Sequence, residues 1–232
     1  MNIPALILAG GLGSRVSIKY KNTQKCMIKF NRKPFLYYVL KNLEKNKIKD
    51  VILSIGYNSE QVVNYIIKNK KNFKMNFFFS NDGNTLLGTG GAVKKASKYI
   101  QKDFILTYGD SYLNYNFKKI ISYYKKKKFE SLITVYKNKD GTDKNNIFFD
   151  GKKIKIYNKL DRLKCNYIDW GLSIFNKNIF ITEKKKVFDM SLIYKKQIKK
   201  NKLFGFEVYK KYMEIGTPKA IDQFKLYLNE KK

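Results

Sequence analysis

The chain has no histidine among its 232 residues. That removes the commonest general base and the commonest metal ligand together, so any chemistry has to rest on carboxylates, cations and backbone groups. Cysteine is scarce: Cys26 and Cys165 stand far apart without metal-ligand spacing, and no disulfide follows from sequence alone. Acidic side chains number 18 against 49 lysines and arginines, a formal net charge of +31. No apolar run approaches the length of a membrane span, so no membrane insertion is expected. No basic region precedes the short apolar run near the N-terminus, so that run is not expected to be a secretory signal peptide, and a cytoplasmic protein is expected.

What is present suffices for a core. Hydrophobic residues make up 44% of the chain, with 18 Tyr and 17 Phe, so wholesale disorder is excluded. The length fits one domain over residues 1–232. The positive charge raises the question of nucleic acid or an anionic membrane. Lysine is spread over nearly every segment, however, alongside abundant Asn, Ile, Tyr and Phe, which reads as compositional bias rather than one binding face. The lysine runs at 125–128 and 184–186 fall where helix ends or loops are expected. No recognition motif accompanies the charge, so no specific nucleic-acid partner is expected.

The most informative segment is Leu8-Ala9-Gly10-Gly11-Leu12-Gly13-Ser14-Arg15, with Lys25 ten residues further on. It follows Ala5-Leu6-Ile7-Leu8, an apolar run short enough for a buried strand. Glycines at 10, 11 and 13 allow a sharp turn and leave backbone amides uncovered, and amides exposed in a concave turn bind anions. Arg15 and Lys25 add a planar fork and a point charge. Two other phosphate loops are excluded by spacing. The dinucleotide fingerprint would need glycine where Val16 stands, and the Walker pattern would need Gly-Lys-Ser/Thr where Gly13-Ser14-Arg15 stands. A strand-to-loop turn that simply requires glycine is the plainer reading of the glycines alone.

The whole string, Ala-Gly-Gly-x-Gly-x-Arg with a downstream lysine, resembles the signature of the sugar-1-phosphate nucleotidyltransferases. Members of that family normally carry Pro-Lys-Pro or Pro-Lys-Ala at the lysine; here the triplet is Gln24-Lys25-Cys26, so the lysine matches and the prolines do not. Further segments carry the resemblance in the right order from residue 3 to about 228. Leu87-Gly88-Thr89-Gly90-Gly91-Ala92 is similar to the segment that contacts base and ribose, which implies nucleotide binding by Leu8, Ala9, Gly10, Gly11, Gly13, Gly88 and Thr89. Asp110, in Tyr108-Gly109-Asp110-Ser111, matches the family's Gly-Asp metal ligand. Glu214, in Glu214-Ile215-Gly216-Thr217-Pro218, stands where relatives place a second metal-binding aspartate. Asn146, Lys159, Asp169 and Gly171 match positions that hold the sugar phosphate.

Each of these has a plainer reading alone: a turn aspartate, a helix entry, one lysine among many. As a set they imply two substrates, a nucleoside triphosphate and a sugar 1-phosphate, and Mg²⁺ as cofactor on Asp110 and Glu214. The implied catalytic residues are Arg15, Lys25 and Asp110. Arg15 with the glycine amides would hold the β- and γ-phosphates, and Lys25 would sit over the α-phosphate. The form of residues 88–92 is closest to guanylyl- and heptose-type members, so the resemblance leans to a GDP-sugar. A cytidylyltransferase acting on phosphocholine or a phosphonate is the alternative; such relatives share the first loop but are not expected to keep the segments at 169–171 and 214–218. A non-catalytic regulatory subunit is a third reading, opposed by retention of Arg15, Lys25, Asp110 and an acid at 214. Either a monomer or a homo-oligomer is compatible.

Periodicity places these motifs. The first half alternates strand and helix patterns, which predicts a parallel α/β arrangement. Strands are expected at 5–8, 51–55, 73–79 and 104–108. Helices are expected after Pro34, after Asn58 with Gln61 closing a capping box, from 88 to near 100, and over 117–127. Beyond residue 128 short strands at 131–136, 147–149, 154–157 and 167–175 should lie over the first half as a smaller substrate-facing layer of the same mixed sheet, and a helix over 218–228 closes the chain. The expected fold is therefore α/β, a Rossmann-like three-layer sandwich with a mixed, mainly parallel central sheet and a smaller substrate-facing β layer. Residues 1–128 would form the nucleotide-binding half and 129–232 the sugar-phosphate-binding half.

Overall fold

The computed structural model describes residues 3–10, 20, 23–56, 58–83, 85–139, 141, 144–158 and 164–231. Along the first half run β1 (Ala5–Leu8), β2 (Lys29–Phe30), β3 (Lys33–Pro34), α1 (Phe35–Lys45), β4 (Asp50–Ile55), α2 (Ser59–Asn69), β5 (Asn76–Asn81), α3 (Gly88–Ala96), β6 (Asp103–Tyr108), β7 (Ser111–Tyr112) and α4 (Phe117–Lys126). The second half contains β8 (Ser131–Tyr136), β9 (Ile147–Phe149), β10 (Ile154–Tyr157), β11 (Ile168–Asn176), α5 (Asn178–Ile181), α6 (Met190–Lys199), β12 (Phe204–Glu207), β13 (Met213–Glu214) and α7 (Pro218–Asn229).

Seven strands form one sheet in the order β12-β8-β11-β6-β1-β4-β5. The pairs β1–β4, β1–β6, β4–β5 and β12–β8 are parallel, whereas β11 runs antiparallel to both neighbours. β1 is an interior strand, paired with β6 on one side and β4 on the other, and its residues Ala5, Leu6 and Ile7 are fully buried. That explains a continuous apolar run in place of an alternating one.

Side chains alternate between two cores, as strand geometry requires. Ala5, Ile7, Val51, Leu53 and Ile105 pack with α1, α2, α4 and α7; Leu6, Ile52, Phe104 and Leu106 pack with α3, α5, α6 and the β9–β10 ribbon. Helices on both faces of the sheet make the three layers. α1 belongs on its face because Phe35, Leu36, Val39, Leu40 and Leu43 recur at helical spacing and are buried.

β8, β11 and β12 continue the mixed main sheet edge to edge, and β2–β3, β7–β13 and β9–β10 form separate two-stranded ribbons. Several local expectations are corrected. Phe73 is buried but precedes its strand, because a 3₁₀ turn at Lys70–Asn72 delays β5 to Asn76. Pro34 is the N-cap of α1 rather than its first residue. The capping box at α2 does not form. Asn58 occupies the N-cap with a left-handed backbone (φ 53°) and makes no side-chain cap bond, where a capping side chain needs an extended backbone. Gln61 turns instead toward the segment before Lys25, as described below.

Candidate active site

The carboxyl ends of β1, β4, β5 and β6 open into one cleft of about 930 Å³. Its walls carry the chain turns that leave these strands: Leu8 to Gly10, Gly56, Asn81 to Gly83, and Tyr108 to Asp110. The turns are tightly drawn together. The Ala9 N–H donates to Ser54 O at 2.8 Å, and the Gly109 N–H donates to Leu8 O at 2.9 Å. A Cβ on Gly10 would stand 3.2 Å from the Gly56 nitrogen, so glycine is what lets β1 and β4 approach where the cleft begins.

Lys25 and Cys26 also line this cleft. They belong to a single 3₁₀ turn, Lys25–Met27, in which the Met27 N–H donates to Gln24 O at 2.8 Å. The Lys25 Nζ reaches Asp110 Oδ2 at 3.0 Å, joining groups 85 residues apart. Both side chains keep some exposure, 16% and 32%. An ion pair of this kind contributes little stability by itself, so each partner can give up the other for a phosphate or a cation at small cost.

Glu214 reaches Asp110 through the backbone. In the β7–β13 ribbon Glu214 stands opposite Ser111, and the Ile215 N–H donates to Asp110 O at 3.1 Å. The Glu214 carboxylate folds against Gly216, where an added Cβ would lie 2.7 Å from Oε2.

The sugar-side residues form a second group. The Asp169 N–H donates to Asn146 Oδ1 at 3.0 Å, and the Gly171 N–H donates to Asp169 Oδ1 at 2.9 Å. Tyr157 Oη donates to Asp169 Oδ2 at 3.1 Å. The register of β11 against β8 shifts between Asp169 and Ser173, and Gly171 supplies the positive φ of 93° that this irregularity requires. Gly171 lies close to Ser111, next to Asp110, so the two groups meet at that point. Asn146, Asp169, Gly171 and Glu214 are not part of the cleft wall itself.

Gly88 and Thr89 do line the cleft, yet their segment is also tied to the second half of the chain. The Gly90 and Gly91 N–H groups donate to Phe188 O at 2.9 and 3.0 Å. Thr89 Oγ1 donates to Asp189 Oδ1 at 3.0 Å and accepts from the Met190 N–H at 2.9 Å. Gly11, Gly13, Arg15 and Lys159 lie outside the described residues.

Two cleft residues were not singled out by sequence. Tyr108 ends β6, and burial foremost, with the Asp169 charge next, pushes its phenol well above the usual range. Asp82, beyond the end of β5, has an Oδ1 that is buried without a hydrogen-bond partner among the described residues, and burial raises its carboxyl. Nothing local marks either in the sequence; only strand order brings them to the cleft. Cys26 is not a thiolate: burial, aided by the Asp110 charge, pushes its thiol up to about 12. Among the described residues no group of three or more Cys, Asp or Glu is arranged to hold a metal.

Residues 4–227 match the sequence pattern of the family described as Nucleotidyl transferase. The chain is 28% identical over 218 residues to the D-glycero-alpha-D-manno-heptose 1-phosphate guanylyltransferase of Aneurinibacillus thermoaerophilus, a match covering 92% of this chain and 93% of that protein. It is 25% identical over 233 residues to the mannose-1-phosphate guanyltransferase of Saccharomyces cerevisiae, covering 97% of this chain and 64% of that one. Among solved structures, HddC from Yersinia pseudotuberculosis complexed with GMP-PN superposes with a TM-score of 0.85 at 26% identity, covering 97% of this chain and 99% of HddC.

Proposed function

The chain belongs to the nucleotidyl transferase family, and from that premise we propose that it joins a nucleoside monophosphate, preferably GMP, to a sugar 1-phosphate. A phosphate oxygen of the sugar 1-phosphate attacks the α-phosphorus of the triphosphate in line. The bond to the bridging oxygen of the β-phosphate breaks, and pyrophosphate leaves with that oxygen. No covalent enzyme intermediate is required, which suits a chain without histidine and with its cleft cysteine held as a thiol.

One observation carries this reading: Lys25 and Asp110 meet at 3.0 Å in the wall of a cleft built from the ends of four parallel strands. Open α/β sheets bind their ligands at such strand ends. Phosphoryl chemistry asks for positioning and charge neutralisation, and a cation beside a carboxylate is the minimum equipment for both. Lys25 exchanges Asp110 for the α-phosphate and meets the charge that develops on its oxygens. The glycine-rich segment that follows β1 in sequence, with Arg15, orients the leaving pyrophosphate. Asp169, braced by Asn146 and the Gly171 N–H, accepts hydrogen bonds from the sugar hydroxyls, and Lys159 meets the phosphate of the sugar 1-phosphate.

Asp110 and Glu214 would hold Mg²⁺, which supplies neutralising charge at the reacting phosphates. The residue types suit such an ion: both are hard carboxylate donors, and the Ile215–Asp110 backbone hydrogen bond brings the two chain segments that carry them together. Preference for GTP is supported by the guanylyltransferase relatives and by Asp82. Its carboxylate lines the cleft and includes an oxygen without a hydrogen-bond partner among the described residues, and guanine presents two adjacent N–H donors that a carboxylate can accept.

The test is pyrophosphate release from each of the common nucleoside triphosphates against a panel of sugar 1-phosphates, with and without Mg²⁺. Magnesium-dependent release with GTP and a hexose or heptose 1-phosphate is expected. Release with CTP and phosphocholine, and none with any sugar 1-phosphate, would overturn the sugar assignment.

A further inference from the structure

Lys25 has to be held where a phosphate arrives, and the turn that carries it is short. The residue ahead of it, Gln24, is 4% exposed and Cys26 is 3% exposed, so the turn is anchored by its buried flanks. Gln24 is extended, with φ −59° and ψ 137°. Its N–H donates to Oε1 of Gln61, 37 residues away in the first turn of α2, at 3.2 Å. The Cys26 thiol closes the other side on Gln24 Oε1 at 3.7 Å. Asn58, Ser59 and Glu60, just before Gln61, line the same cleft as Lys25.

We propose that Gln61 is a positioning residue for the reaction: it clamps the Gln24 backbone and so fixes the Lys25 turn against the triphosphate. The inference rests on Lys25 being the cation that meets the α-phosphate. Gln61 touches no reacting atom. Its side chain could have served the start of its own helix, yet Asn58 leaves that cap unmade and Gln61 reaches across to Gln24. When the acceptor is lost, the Gln24 N–H loses this bond, the turn samples other positions, and the near-attack arrangement becomes a fraction of the ensemble.

The experiment compares Gln61→Leu and Gln61→Glu with the parent protein. Leucine keeps helix propensity and bulk but accepts no hydrogen bond, whereas glutamate keeps an acceptor oxygen. Three quantities are read: kcat, KM for the triphosphate, and hydrogen exchange at the Gln24 amide. For Gln61→Leu, kcat falls about tenfold and Gln24 exchange quickens by about the same factor, the size expected for one lost neutral hydrogen bond. KM changes less than threefold, and Gln61→Glu restores both kcat and protection. Unchanged Gln24 exchange in Gln61→Leu, or unchanged kcat with faster exchange, overturns the proposal. So does loss in Gln61→Glu equal to that in Gln61→Leu. Lys25→Ala is measured in parallel: wild-type turnover there sinks the assignment of Lys25, whereas the exchange result judges the clamp by itself.

Discussion

Replacing Gly91 with alanine tests how the nucleotide end of the cleft is held together. An added Cβ would lie 2.4 Å from the carbonyl oxygen of Lys186 and 3.1 Å from the Leu87 Cβ. The first neighbour is backbone and has no rotamer to yield, so α3 and the segment before α6 must separate. That also strains the bonds from the Gly90 and Gly91 N–H groups to Phe188 O. Overpacking of this sort costs about 1–3 kcal/mol, and one weakened backbone hydrogen bond adds about 1 kcal/mol. Alanine's helix advantage over glycine returns at most about 1 kcal/mol, leaving a loss of about 2 kcal/mol. For a chain of this size the melting temperature falls by about 4–8 °C.

Because Leu87, Gly88 and Thr89 line the cleft, KM for the triphosphate rises as well. Gly90 supplies the internal contrast. Its added Cβ would meet the Phe188 ring at 2.3 Å, a side chain that can be removed. Scanning calorimetry and initial rates should therefore show Gly90→Ala partly rescued by Phe188→Ala, and Gly91→Ala not rescued. A Gly91→Ala protein that melts within a degree of the parent with unchanged KM refutes the close-approach argument.

Other outcomes follow from the same geometry. Lys25→Ala and Asp110→Ala each lower kcat by about 10²–10³, the usual loss for a transition-state contact, with circular dichroism and melting temperature close to the parent; steady-state pyrophosphate assays decide this. Asp82→Asn turns an acceptor edge partly into a donor. It should cut kcat/KM for GTP by about tenfold, the scale of a mismatched polar contact, with less effect on ATP, read in competition assays. The Cys26 thiol titrates near 12 in the fold, above its ordinary 9.0, so the fold favours the protonated form. The stability this confers is complete below about pH 9 and is lost as pH rises toward 12. At pH 8 a thiol reagent should therefore leave turnover intact until the protein unfolds. Rapid stoichiometric inactivation at that pH would show a reachable thiolate instead.

What could be read in advance follows from which interactions are local. The buried strand Ala5–Leu8, the apolar stripe of α1 and the short strands Ser131–Tyr136, Ile147–Phe149 and Ile154–Tyr157 carry their periodicity in adjacent residues. α6 and β12 lacked such a signal. Lysines interrupt Met190–Lys199, and Phe204–Glu207 becomes a strand only by joining the edge of the sheet beside β8. The capping-box pattern at 58–61 is a local rule, and the left-handed backbone at Asn58 together with the long-range Gln24–Gln61 bond overrides it.

The same division holds at the site. Sequence alone determined the residue types available: a glycine-rich segment after a buried strand, Lys25 downstream of it, an aspartate at a strand end, an acid before Ile-Gly-Thr-Pro, and no histidine to support other chemistry. These are covalent facts, and their order along the chain suffices to state them. Tertiary structure decided that Lys25 and Asp110 are partners, that Asp110 and Glu214 are neighbours through a two-strand ribbon, and that Asp82 and Tyr108 belong to the cleft. It also decided that Gln24 adopts a φ of −59° and uses an N–H that a proline would lack to bond Gln61. Those arrangements depend on strand order and close approach between residues dozens of positions apart, which no local pattern encodes.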